Sequence, residues 1–155
     1  MAKQATVISA KVVGGAALVA LALVAAPAVA IEYRSVDSAA VLYDAPSVKG
    51  KPLFVIKRFT PVEPVVSLEG WSKVRDADGG LAWIEKKHLS EQRTVLVTAG
   101  QAQIRREASD DAPLVFEAQK GVALEFVEAG AAGWAKVRHR DGVAGYVRAS
   151  QVWGL

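Results

Sequence analysis

The chain has 155 residues, 19 Lys and Arg against 16 Asp and Glu, a formal net charge of +3 and no cysteine. That length sets a prior of one ordinary domain or two very small ones. The missing cysteines exclude a disulfide-stapled mini-domain, a thiolate zinc site, a cysteine nucleophile and a lipid-modified N-terminal Cys.

Residues 1–30 read as an export leader. Residues 1–11 carry Lys3 and Lys11 and no acid, and residues 12–30 carry no charge. Pro27 breaks the apolar run, and Ala28-Val29-Ala30 supplies the small residues that a signal peptidase accepts. An uncleaved anchor is the alternative, because this stretch is near the roughly 20 residues that span a bilayer. Its alanine-rich core with two early glycines inserts weakly, so cleavage after Ala30 is expected. The leader inflates the 52% hydrophobic content. Without its two lysines, 17 basic residues face 16 acidic ones, a net charge of +1. That balance makes no case for nucleic acid. The protein is expected to be exported, to the periplasm or the medium. Contact with a membrane is expected only through the leader before cleavage.

The rest of the chain is one pattern written twice. Gly70-Trp71-Ser72-Lys73-Val74-Arg75-Asp76-Ala77-Asp78-Gly79 matches Gly133-Trp134-Ala135-Lys136-Val137-Arg138-His139-Arg140-Asp141-Gly142 at seven of ten positions, a shift of 63. Upstream, residues 61–65 lie over 123–127 at a shift of 62, so one residue is gained before the Trp. The copies are expected at 31–91 and 92–155. No flexible linker divides them, which predicts a stiff junction.

In each copy the pattern predicts strands at 62–66, Trp71–Arg75 and 81–84, and again at 124–127, Trp134–Arg138 and 143–147. Asp-Gly tips join the last two strands of each set as hairpins. Residues 86–89 and 149–152 suffice for one helical turn. The final strand of the second copy has room for two or three residues, unless residues 93–97 or another segment completes the sheet. Many short strands in a sixty-residue unit predict an all-β fold of two tandem small β-barrels.

These residues resemble a known family. Gly-Trp-x-Lys-Val-Arg, then Asp-Gly, then Trp83-Ile84 or Tyr146-Val147, a short turn and Leu89 or Val152, is similar to the bacterial SH3-like domain. The tail Val152-Trp153-Gly154-Leu155 resembles the end of a subgroup of exported proteins with tandem copies. The resemblance implies SH3-like barrels acting as non-catalytic binding or targeting modules, several of which associate with cell-wall peptidoglycan. The family's Asn-x-Arg-x-x-Pro stretch is incomplete here. Residues 40–46 lack the Arg and 103–108 lack the Pro, so unequal binding by the two copies is expected.

Signs of catalysis are few. His88 lies over Gln151 and His139 over Asp76 in the repeat, so neither belongs to the duplicated pattern; both read as solvated turn residues. Asp76-x-Asp78-Gly79 resembles the opening of a calcium loop, but the twelfth position is Lys87 where a bidentate Glu is needed. No metal, cofactor or enzymatic activity is expected. Asp110-Asp111 reads as a hydrated loop tip, and Lys86-Lys87 and Arg105-Arg106 as solvated pairs.

Alternation within Trp71–Arg75 puts Ser72 and Val74 on one face and Trp71, Lys73 and Arg75 on the other. The second copy repeats this with Trp134, Lys136 and Arg138 around Val137. An aromatic ring flanked by cations suits a sugar or a peptide carboxylate, although a large ring can also simply close the end of a small barrel. Trp83, Tyr146 and Tyr43 are further candidates for the same surface. The expected partner is a cell-wall glycopeptide. The alternative is an envelope protein, held by an adaptor or regulator that uses SH3-like grooves or sheet edges.

Overall fold

Every predicted strand forms, because alternating small apolar side chains give each one a face to bury. The computed structural model describes residues 31–155; the expected leader, residues 1–30, lies outside them. The first set is β1 (Arg34–Val36), β2 (Ala40–Tyr43), β3 (Pro52–Ile56), β4 (Pro61–Ser67), β5 (Trp71–Arg75), β6 (Leu81–Glu85) and β7 (Leu89–Ser90). The second is β8 (Thr94–Val97), β9 (Gln101–Arg105), β10 (Leu114–Gln119), β11 (Ala123–Ala129), β12 (Trp134–Arg138), β13 (Ala144–Arg148) and β14 (Val152–Trp153). A single 3₁₀ turn precedes the last strand of each set, at Lys86–His88 and Ala149–Gln151.

Each set forms one seven-stranded antiparallel sheet, and the two orders are the same: β3-β2-β6-β5-β4-β1-β7 and β10-β9-β13-β12-β11-β8-β14. The chain is therefore all-β, two tandem SH3-like barrels. The registers repeat as well, with Lys73 opposite Trp83 and Lys136 opposite Tyr146. A bulge interrupts β4 between Pro64 and Val66, and β11 between Phe126 and Glu128. Bulges bend a strand and raise its twist, which helps so short a sheet to curl on itself. The residue gained before the Trp falls in the β11–β12 turn, which has four residues where β4–β5 has three. Gly70 and Gly133, before the two Trp residues, hold positive φ, as do Gly79 and Gly142 at the Asp-Gly tips; these are conformations that side chains resist.

The second set does end on a two-residue strand. β14 pairs with β8 as β7 pairs with β1, so residues 94–97 complete that sheet. The hairpins β2–β3 and β9–β10 carry no strand expectation. In β3 four of the five residues are exposed, so the inside–outside alternation that marks a strand is missing there.

Two cores result. The first gathers Val36, Leu42, Ile56, Val62, Val74 and Ile84, and the second Val95, Val97, Ile104, Leu124, Val137 and Val147. Each belongs to a unit small enough to be marginal alone, and the junction ties them. Ser35 Oγ donates to the Gln92 carbonyl at 2.6 Å and Thr94 Oγ1 to the Phe59 carbonyl at 2.7 Å. Arg93 Nη2 donates to the Gly154 carbonyl at 3.0 Å, and its guanidinium lies 4.3 Å from the Phe126 ring centre and 5.9 Å from that of Tyr33. Tyr33 meets Trp153 edge to face at 5.1 Å. Burial pushes the Tyr33 phenol pKa above its ordinary value, and the charge of Glu63 adds to this.

Candidate functional site

In the first lobe, β5 divides as alternation requires. Ser72 and Val74 are buried, while Trp71, Lys73 and Arg75 point outward. Ser72 keeps its place in the core by donating Oγ to the Val66 carbonyl at 3.2 Å. On the outer face β2 brings Tyr43 opposite Trp83, and β6 brings Trp83 opposite Lys73. Tyr43 stands edge to face with Trp71, 5.7 Å between ring centres. Lys73 Nζ is 6.0 Å from the Trp83 ring centre. Four predicted residues, Tyr43, Trp71, Lys73 and Trp83, thus form one half-buried patch. Arg75 shares the face, but Nη1 is bound to Glu63 at 3.0 Å. Among the described residues no carboxylate lies within 4 Å of Lys73, which leaves its charge available.

The second lobe has the same register and a different surface. Lys136 is 5.9 Å from the Tyr146 ring centre, but Nζ reaches Glu128 at 3.4 Å. Arg138 reaches Glu125 at 3.5 Å. Of the two readings of Trp134, ligand contact or plain packing, the second is the one found: it is only 5% exposed, because Arg148 lies across it 4.6 Å from the ring centre. Asp110 holds Arg148 in place, accepting from Nε at 3.0 Å and also from Nη2. Arg105 takes the place of Tyr43, opposite Tyr146, and turns to the Ala112 carbonyl at 2.7 Å.

Two expectations are corrected here. Asp110 is not an idle loop acid, since it anchors the cover over Trp134. His139 is not a freely solvated turn residue, since its ring lies 5.8 Å from that of Phe116 and Nδ1 is 2.9 Å from Asp141. The Asp141 carboxyl is held below its usual pKa, first by the Val143 N–H and then by His139. Asp76 Oδ1 accepts the N–H groups of Asp78 and Gly80, the work of a turn residue.

Sequence reasoning gave Arg148 no role, and it read Arg105 as one of a solvated pair, whereas Nη1 is held by the Ala112 carbonyl. One signal was present: at a shift of 63, Glu85 lies over Arg148, a charge reversal beside the repeated Trp.

The clefts lie away from the Trp71 patch. One of about 480 Å³ opens where Ser72 points, among Arg34, Pro64, Val66, Leu89 and Ser90. In the second lobe the residues matching Pro64 and Ser90 are Phe126 and Trp153, which pack against Arg93 and Tyr33 instead. Another cleft, about 390 Å³, lies between β10 and the β12–β13 tip and includes Phe116 and His139.

The family model described as bacterial SH3 domain matches the chain twice, over residues 36–91 and 98–154. The chain belongs to the bacterial SH3 domain family. No curated protein matches this bacterial SH3 chain. Among solved structures it is similar to NlpC2 from Trichomonas vaginalis, at 15% identity and a TM-score of 0.37 over 80% of this chain and 48% of that one. NlpC1 from the same organism gives 14%, 0.38, 83% and 47%. An NlpC/P60 family protein from Bacillus cereus ATCC 10987 gives 16%, 0.37, 78% and 55%. The tandem bacterial SH3 pair spans about half the length of these proteins.

Proposed function

We propose that this protein is a non-catalytic, exported binding module that holds cell-wall glycopeptide on the outer face of its first SH3 lobe. The observation that carries the reading is the patch itself. Tyr43 and Trp71 stand edge to face, Trp83 lies beside them, and Lys73 brings a cation without a carboxylate partner. A flat, half-exposed ring offers apolar area to the face of a sugar or to a stem-peptide side chain. The Lys73 ammonium would take a peptide carboxylate as a charge-assisted hydrogen bond. Membership in the bacterial SH3 family supports a holding role over conversion. The second lobe, with Trp134 covered and Lys136 paired, serves as a buttress docked through Arg93.

Retention on protein-free sacculi tests the proposal. The intact protein should sediment with the sacculi, Trp71→Ala and Lys73→Ala should weaken retention about tenfold, the loss of a hot-spot contact, and Lys136→Ala should leave it unchanged. Equal retention of all four proteins, or none of the intact one, would overturn the reading.

A further inference from the structure

The hairpins β2–β3 and β9–β10 are the same element in the two lobes, yet their outer strands differ in what they leave uncovered. In the second lobe Phe116 packs against the core and its ring lies near His139, while Glu117 bonds Gln101. In the first lobe the matching residues are Phe54 and Val55. Phe54 is absent from the core cluster and 45% exposed, and Val55 is 63% exposed. Leu53 and Leu81 are also exposed. The lobe thus carries three consecutive exposed apolar residues in the middle of a strand.

That strand is also an edge. Among the described residues β3 pairs with β2 alone, so its other side presents backbone N–H and C=O groups without a strand partner. Long apolar edges are templates for pairing and are usually blunted. Along β3 and the turns that flank it, between Asp44 and Glu63, the charge has one sign. Residues 45–62 contain Lys49, Lys51, Lys57 and Arg58 and no acid. Among the described residues the side-chain charge of none of these four lies within 4 Å of a carboxylate, and Asp44 Oδ1 at the hairpin end takes only the Lys51 backbone N–H, at 2.8 Å.

We propose that the free edge of β3 is a docking site for an extended segment of a partner protein, apolar in its middle and acidic at its ends, which adds to the sheet as a further strand. Main-chain hydrogen bonds would supply part of the affinity and the side chains the selection. The charge argues against a second copy as the occupant. Two-fold antiparallel pairing of β3 with itself about its central residue, Phe54, sets Lys51 opposite Lys57, and like charges facing each other across a ladder are destabilising. Insertion into lipid is disfavoured in turn, since unpaired backbone groups cannot enter hydrocarbon without cost. An acid-flanked strand satisfies the edge, the apolar centre and the cations together. The free edge lies on the far side of β3 from β2, which carries Tyr43 of the Trp71 patch opposite Pro52, and it needs no wall ligand.

The test uses the whole exported chain and two synthetic peptides of alternating Val and Thr, one ended by glutamates and one by lysines. Amide hydrogen exchange should slow in β3, and not in β10, with the glutamate peptide only. Val55→Glu, which copies the second lobe's Glu117, should weaken binding about tenfold, as burial of an unpaired charge requires. Lys57→Glu with Arg58→Glu should invert the preference between the peptides. Trp71→Ala should leave peptide binding unchanged, so failure of wall binding does not touch this result. No slowing in β3 at millimolar glutamate peptide overturns the proposal. So does equal binding of the two peptides. Concentration-dependent dimerisation abolished by Val55→Glu would assign the edge to a second copy instead. Binding of anionic phosphatidylglycerol vesicles without binding of the peptide would assign it to a membrane.

Discussion

Arg148 lies across the face of Trp134, its guanidinium 4.6 Å from the ring centre, while the matching residue Glu85 stands opposite Trp71 and is drawn to Lys87 at 2.8 Å. One charge reversal separates a covered ring from a partly open one. A guanidinium stacks on the negative face of an indole and a carboxylate does not. Asp110 then fixes the cover by a two-pronged hydrogen bond. The two lobes share a fold and a register, and differ in whether their Trp is available.

Removing the cover should expose the ring. For Arg148→Ala we expect a larger fraction of Trp fluorescence open to acrylamide quenching, with a stability loss of roughly 1 kcal/mol, the scale of a partly exposed cation–π contact. Asp110→Asn should move quenching in the same direction by less. Unchanged quenching in both variants would mean that Arg148 does not shield Trp134.

The junction should weaken in alkali. Tyr33 is buried against Trp153, and its phenol pKa is raised by burial. The folded chain therefore keeps the phenolic proton to higher pH than the unfolded chain does. The stability this contributes is complete below the unfolded phenol value of about 10 and is lost as pH rises through the folded value. Thermal melting followed from pH 8 to 11 should show the fall, and Tyr33→Phe should flatten the part of the slope that belongs to this residue. A slope identical in the variant would place the alkaline loss elsewhere.

Gly145 marks a place where the second lobe is packed more tightly than the first. A Cβ there would meet Ile104 Cγ2 at 2.6 Å and the Arg105 carbonyl oxygen at 2.7 Å, whereas the first lobe carries Ala82 at the matching position. Gly145→Ala should cost about 1–3 kcal/mol through overpacking. The reciprocal Ala82→Gly should cost about 1–2 kcal/mol, through chain entropy and the loss of one buried methyl, with no steric clash to relieve. Urea midpoints for the two variants check the difference. Equal losses would show that the backbone shifts to make room.

The sequence by itself determined the duplication, the strands β5, β6, β12 and β13, the Asp-Gly tips and the face on which Trp71, Lys73 and Arg75 sit. Those follow from local chemistry: period-two alternation, glycine at positive φ and a repeated motif all act within a few residues. Tertiary structure alone decided that Tyr43 meets Trp71, that Asp110 clamps Arg148 thirty-eight residues away, that Arg93 joins the lobes, and that Phe54 in the edge strand β3 stays exposed while Phe116 in the edge strand β10 packs on its core. Each of these depends on which distant strands lie side by side. The repeat makes the two lobes look equivalent in the motif that defines them. Their difference rests on residues outside that motif, such as Glu85 and Arg148, whose meaning depends on the ring that folding sets opposite them.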